Sequence, residues 1–147
     1  MTRVMASGVF DILHTGHVHY LTEARKLGDE LVVVVATDAT VKRRKHTPII
    51  PEQMRLELIS SLKPVDKAVL GRTGDKYQVV EELRPDIIAI GYDQPFNEKM
   101  LEEDLKKRGL DIKVVRISGY SDDLDGTRKI IRRIIEWHSS NCHGGDS

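Results

Sequence analysis

Residues 31–36 read Leu-Val-Val-Val-Val-Ala, a run of apolar, mostly β-branched residues with nothing polar to turn toward water. The run is too short for a globular helix, and it lacks the alternation of a strand wetted on one side. It fits a strand covered on both faces, which in a water-soluble chain means a parallel sheet with helices above and below. The flanking sequence repeats the theme. Arg3–Ser7 reads as a first strand ended by Gly8, and Ala68–Leu70, Ile87–Ile90 and Ile112–Ile117 read as three more. Residues 17–27 place Val18, Leu21, Ala24 and Leu27 at helical spacing, with Gly28 as the stop. Pro51 opens a second helix in its first turn, followed by Met54, Leu56, Leu58, Ile59 and Leu62. Tyr77–Leu83, Glu98–Arg108 and Thr127–Trp137 complete the helical set.

Strands that alternate with helices join by right-handed crossovers into one sheet. The expected fold class is therefore α/β: a single doubly wound, Rossmann-like domain with a five-stranded parallel sheet. In such sheets a ligand crevice opens at the carboxyl ends of the strands, where the strand order reverses. If the order is 3-2-1-4-5, that point lies between the first and fourth strands. Attention falls on Gly8–His17 and Gly91–Gln94.

The chain has 147 residues, the size of one domain. Residues 1–138 are read as that domain, and 139–147 (SSNCHGGDS), polar and Gly-rich, as a disordered tail. His138, with Cys142 and His143 of the tail, is metal-like in composition, but the Gly/Ser setting favours disorder. Lys+Arg and Asp+Glu both number 23, so the net charge of +0 argues against a general nucleic-acid partner. No apolar run approaches the roughly 20 residues that cross a bilayer, and no membrane partner is expected. The N-terminus does not read as a signal peptide. Cys142 is the single cysteine, so no intrachain disulfide can form, and a soluble, cytoplasmic protein is expected.

Chemistry concentrates in GVFDILHTGH, residues 8–17. The glycine-rich and lysine-bearing phosphate fingerprints of nucleotide folds are missing. What stands after the first strand is His14-Thr15-Gly16-His17 at the start of a helix. Gly16 allows close approach of a ligand to the backbone, and the amides of the helix end favour an anion. Two imidazoles three residues apart reach one group of phosphate oxygens and can donate hydrogen bonds to charge developing there. Asp93, leaving the fourth strand at the same crevice, can accept hydrogen bonds from ribose hydroxyls or a base amine; its bland alternative is a turn residue. Lys42, Arg43, Arg44 and Lys45 cluster after the second strand, on a segment expected to be a mobile loop. They are either a solvated charge run or, through Lys42, a cover for phosphates. Arg55 is read preferentially as a helix-surface charge. Asp11 can orient His14 or hold a divalent ion through water, because Mg²⁺ takes carboxylates together with substrate phosphates.

GVFDILHTGH resembles the HxGH signature of the cytidylyltransferase-like nucleotidyltransferases. The likeness extends over about residues 3–137, through the Gly-x-Phe-Asp lead-in, PIIPEQMR, the Gly-Tyr-Asp-Gln turn and the terminal Thr-Arg-Lys-Ile-Ile helix. Within that family the chain looks most like the archaeal FAD synthases, which transfer AMP from ATP to FMN. The resemblance implies backbone contacts to the nucleotide from Val9 and Phe10, and a triphosphate grip by His14, Thr15, Gly16 and His17. It implies Asp93 and Tyr120 in the nucleotide pocket, Thr127, with Arg128 beside it, at the phosphates, and Lys42 swinging over the leaving group. It further implies a divalent metal ion such as Mg²⁺, ATP and FMN as substrates, and a homodimer. A CTP:glycerol-3-phosphate cytidylyltransferase is the alternative in the same class. The chain departs from that pattern at Gln94, where those enzymes tend to carry Trp, and across Ser121–Arg128, which keeps Thr127 but lacks their Arg and serines. A nucleotide-binding regulatory module without turnover is the alternative from another class.

Overall fold

The computed structural model describes residues 1–44, 47–75, 77–92, 94–119, 124 and 126–141. Five parallel strands form its one sheet: β1 (Arg3–Gly8), β2 (Glu30–Val35), β3 (Lys67–Leu70), β4 (Ile87–Ile90) and β5 (Lys113–Arg116). Their order is β3-β2-β1-β4-β5, the arrangement under which the crevice falls between β1 and β4. Helices α1 (Thr15–Arg25), α2 (Asp38–Arg44), α3 (Glu52–Ser60), α4 (Gln78–Leu83), α5 (Glu98–Lys107) and α6 (Thr127–Asn141) connect and follow the strands.

The unbroken apolar strands divide by residue parity between two cores. Val4 and Ala6 of β1 with Leu31, Val33 and Val35 of β2 face Leu21 and Ala24 of α1 and Ile59 of α3. Met5 and Val34 face the other way, onto Val79 and Val80 of α4 and Leu105 of α5. This is why residues 31–35 carry no polar alternation: both faces of β2 are covered.

Three elements differ from the sequence reading, each for a physical reason. The basic cluster lies in the last turn of α2, with Lys42, Arg43 and Arg44 on a helix rather than a loop. Cations there complement the negative end of the helix dipole. Lys45 lies outside the described residues. On α3, Met54 and Leu58 are exposed, while Arg55 and Ile59, one turn apart, point inward. Arg55 is fully buried, which corrects its reading as a surface charge. Finally, α6 runs to Asn141, so Ser139–Asn141, placed by the sequence in the tail, continue the helix. Cys142 and His143 lie outside the described residues. The side of α6 carrying Ile134, Ile135 and Trp137 is exposed.

Gly28 follows α1 but serves a different purpose from a helix stop, since the helix ends at Arg25 and Lys26 caps it. A Cβ at position 28 would lie 2.7 Å from the Thr2 carbonyl oxygen and 2.9 Å from a Val4 methyl. The glycine lets the chain leaving α1 run against the start of β1, where the Asp29 and Glu30 amides donate to the Thr2 carbonyl. Gly28→Ala is therefore expected to destabilise the fold by about 1–3 kcal/mol, the usual cost of overpacking. Urea unfolding of the variant beside the parent checks this.

Candidate active site

β1 and β4 pair through Val4–Ile87, Met5–Ile88 and Ala6–Ala89, and there the ladder stops, although β1 stays paired with β2 through Ser7 and Gly8. The Tyr20 hydroxyl stands at the point of parting. It donates to the Ala89 carbonyl at 2.6 Å and accepts from the Ser7 amide at 3.3 Å. One phenol thus occupies the place of a sheet rung, satisfying both backbone groups while the strands separate. Burial pushes the phenol well above its usual range, so it stays protonated and able to donate. The crevice opens beyond it, between the β1–α1 segment and the segment after β4.

The β1–α1 segment folds back under its own strand. Phe10 is buried at a positive φ of 55°, a region that bulky residues seldom occupy. Its ring lies so close to Gly8 that a Cβ there would meet the ring at 2.9 Å. The glycine and the strained phenylalanine are one device. The ring also meets His17 edge-on, with centroids 5.3 Å apart.

His14 and His17 close the first turn of α1. Nδ1 of His14, the N-cap residue, accepts the Gly16 amide at 3.1 Å, and Nδ1 of His17 accepts the His14 amide at 3.4 Å. This is a capping box, a geometry usually made by Ser, Thr or Asn at the first position and Glu or Gln at the second. A nitrogen that accepts an amide proton carries none, so both rings hold their proton on Nε2 and present it as a donor. The rings stack with centroids 3.8 Å apart. Burial, and then the nearby His14, lower the pKa of His17 from 6.5 to about 4. At neutral pH it is an uncharged donor.

Asp11 is 7% exposed, and its carboxylate accepts the amides of Ile49 at 3.0 Å and Ile50 at 2.8 Å. Arg55 ties the same segments from beneath. It donates to the carbonyls of Ile50, Val9 and Ala36 and to the Asp38 carboxylate at 2.7–2.9 Å. A buried guanidinium is tolerable only when its donors are satisfied, and among the described residues no buried side-chain nitrogen or oxygen lacks a partner. These contacts fix 47–51 against the motif. Thr127, at the start of α6, donates to the Ile12 carbonyl at 3.3 Å and so brings α6 to the motif from the far end of the chain. His19 likewise meets the Ser118 carbonyl at 3.2 Å.

The structure thus brings Val9, Phe10, His14, Thr15, Gly16, His17 and Thr127 to one end of the sheet. Lys42 is exposed in the last turn of α2, beyond β2. Asp93 and Tyr120 lie outside the described residues. Gln94 turns its side chain onto the Gly91 amide at 2.8 Å, closing the turn after β4. Among the described residues no group of three His, Cys, Asp or Glu is arranged to hold a metal ion, and no helix is long and apolar enough to cross a membrane. Two residues of this site escaped the sequence reading in whole or part: Tyr20 and Arg55. Arg55 carried one usable signal, its position one turn before Ile59.

A nucleotidyltransferase architecture is what this sheet and paired-histidine turn describe, and the chain belongs to the cytidylyltransferase-like family, which it matches over residues 5–140. It is 63% identical over 137 residues to the FAD synthase of Aciduliprofundum boonei, covering 92% of each chain. It is 54% identical over 137 residues to that of Archaeoglobus profundus, covering 92% of this chain and 88% of that one. It is also similar to a solved protein of Thermoplasma volcanium described as a lipopolysaccharide core biosynthesis protein. That likeness has a TM-score of 0.80 and 57% identity, over 82% of this chain and 99% of the other.

The neutral state of His17 has a consequence for stability. Between pH 6.5 and about 4 the unfolded chain takes up a proton on this residue that the folded chain refuses. The contribution is therefore whole above pH 6.5 and is lost as pH falls through that window, by up to about 3 kcal/mol at 1.36 kcal/mol per pKa unit. His17→Gln keeps the capping geometry without a titrating group. Urea midpoints measured from pH 7 to 4 are expected to fall more steeply for the parent than for His17→Gln.

Proposed function

We infer that this protein makes FAD by transferring AMP from ATP to FMN. A phosphate oxygen of FMN attacks the α-phosphorus of ATP in line, the bond from that phosphorus to the bridging oxygen breaks, and pyrophosphate leaves with the electron pair. The attacking phosphate is already anionic near neutral pH, so no general base and no covalent enzyme intermediate are required. The work left to the protein is alignment and stabilisation of charge on the transferring phosphoryl group.

The observation that carries this reading is the histidine pair. Asn at position 14 and Gln at position 17 would make a more usual capping box. Histidine at both positions adds a second ring nitrogen, an Nε2–H held rigidly by the bond that Nδ1 makes. Two uncharged, preorganised donors at a helix N-terminus suit the α- and β-phosphates of a nucleotide. The relatives named FAD synthase supply the acceptor. Thr15, Gly16 and Thr127 are assigned to the phosphates, and Asp93 and Tyr120 to the nucleoside. The Val9 carbonyl is engaged by Arg55, so its nucleotide contact, with that of Phe10, falls to the amides. A divalent ion is placed on the phosphates rather than on Asp11, whose two oxygens already accept amides.

His14→Asn separates cap from catalyst. Asn retains the N-cap acceptor, so stability should stay within about 0.5 kcal/mol, yet it cannot place a donor where Nε2–H stood. The rate of AMP transfer is expected to fall about 10²–10³-fold, as for other lost donors to developing charge. Pyrophosphate release with ATP and FMN, run beside CTP and glycerol phosphate, measures this. A variant within a few-fold of the parent overturns the catalytic role, and turnover with CTP alone overturns the assignment.

Lys42 is assigned to the leaving pyrophosphate. Because it is exposed, Lys42→Ala should leave the melting temperature unchanged, within about 0.5 kcal/mol of stability, while turnover drops. An unchanged rate in the same assay returns the α2 cations to the role of a solvated helix end.

A further inference from the structure

After β4, the described residues 91, 92 and 94–97 form no helix or strand, yet one side chain organises them. Arg116 is the last residue of β5, and its guanidinium reaches across the sheet's end into the concave side of that segment. Nη1 donates to the carbonyls of Gly91 at 3.0 Å, Tyr92 at 3.1 Å and Gln94 at 3.0 Å. Nη2 donates to the Phe96 carbonyl and, at 2.6 Å, to the Glu98 carboxylate; Nε reaches the same carboxylate oxygen at 3.1 Å. Four carbonyls within six residues therefore converge on one planar cation. Nη1 has two protons for three of them, so at least one bond is shared. From the other end, Glu98 opens α5, and Asn97 caps that helix through the Met100 amide at 3.1 Å. The Gly91 amide is taken by Gln94. The backbone of residues 91, 92, 94 and 96 is thus held by side-chain contacts.

A chain wrapped around a cation with its carbonyls inward has its shape set by that cation. These residues follow β4, the strand that parts from β1, and so leave the sheet on the β4 side of the crevice, as the histidine turn leaves it on the β1 side. We propose that Arg116 is a positioning residue for nucleotide binding: it fixes Gly91, Tyr92, Gln94 and Phe96 as the backing against which the nucleoside of ATP is held, without touching the substrate. The inference rests on the adenylyl-transfer reading for the identity of the nucleotide, and on these contacts alone for the positioning. Lysine cannot replace this arginine, because an ammonium is a point donor without the planar fork that spans several acceptors.

The test is a KM-against-kcat split. ATP is titrated at saturating FMN, and FMN at saturating ATP, for the parent, Arg116→Lys, and Arg116→Ala with and without added methylguanidinium. The expected result for Arg116→Lys is an ATP KM raised about tenfold, the scale of a lost hydrogen bond to a charged group, with the FMN KM and kcat within about twofold. Methylguanidinium should restore part of the ATP affinity of Arg116→Ala. Equal rises in both KM values, or a lowered melting temperature with an unchanged ATP KM, overturn the proposal and leave Arg116 a brace of the fold. If neither variant folds, hydrogen exchange on the parent decides: amides of 91–97 must gain protection when ATP binds, and unchanged exchange overturns the proposal. If the parent makes no FAD, calorimetric ATP binding by the same variants still tests the positioning. Failure of the reaction and failure of this inference are then read separately.

Discussion

The parting of β1 from β4 beyond Ala6 and Ala89 is the constraint on which the site depends. Separating two strands of a sheet exposes amides and carbonyls that were paired, and a buried backbone group without a partner costs about as much as a lost hydrogen bond. The Tyr20 hydroxyl meets that cost, accepting from one strand and donating to the other. Because Tyr20 belongs to α1, the helix that widens the sheet is the same helix whose first turn carries His14 and His17. The crevice and the donors that serve it are set by one element, and a shift of α1 along the sheet would disturb both.

On either side of this opening an arginine does similar work. Arg55, wholly buried, gathers the carbonyls of Val9, Ala36 and Ile50, while Arg116 gathers those of Gly91, Tyr92, Gln94 and Phe96. Connecting segments in a doubly wound fold have few backbone partners of their own, and a guanidinium offers five donors in a fixed plane. Each arginine is anchored by a carboxylate on a neighbouring helix, Asp38 of α2 or Glu98 of α5. The Glu98 carboxyl is held below its usual range chiefly by its hydrogen bond to Arg116. The irregular walls of the crevice are therefore pinned to regular elements, which is how loops come to hold a geometry that catalysis by alignment demands.

The sheet was legible because its rule is simple. Runs such as 31–36 and 87–90 are best satisfied by cover on both faces. The alternation with helices implies a parallel doubly wound sheet, although the alternation alone admits more than one strand order. The histidine turn was legible because two imidazoles flanking a glycine after a first strand have few bland explanations. Arg55 and Arg116 were not, since hydrophobic periodicity counts an arginine as outward-facing, and only the three-dimensional convergence of carbonyls reveals an inward one. Tyr20 passed for an ordinary residue of an amphipathic helix for the same reason. The basic cluster was misplaced on a loop because seven residues hold too little periodicity to announce α2.

Charge completes the argument. The substrates are polyanions, yet the two histidine rings proposed to meet their phosphates are uncharged in this geometry. A cationic pair stacked at 3.8 Å would repel itself, and protonating Nδ1 of either ring would break the bond that caps α1. The neutral form avoids both and still supplies two donors, at the positive end of a helix dipole that favours an anion without adding a mobile cation. Full positive charge is placed farther off, in the last turn of α2, where Lys42, Arg43 and Arg44 are exposed and Arg43 donates to the Thr73 carbonyl at 2.8 Å. Donors that are rigid and neutral suit an oxygen whose charge changes during the reaction. An exposed cation such as Lys42, the residue proposed for the leaving group, is strongly hydrated and so suits a product that must be released.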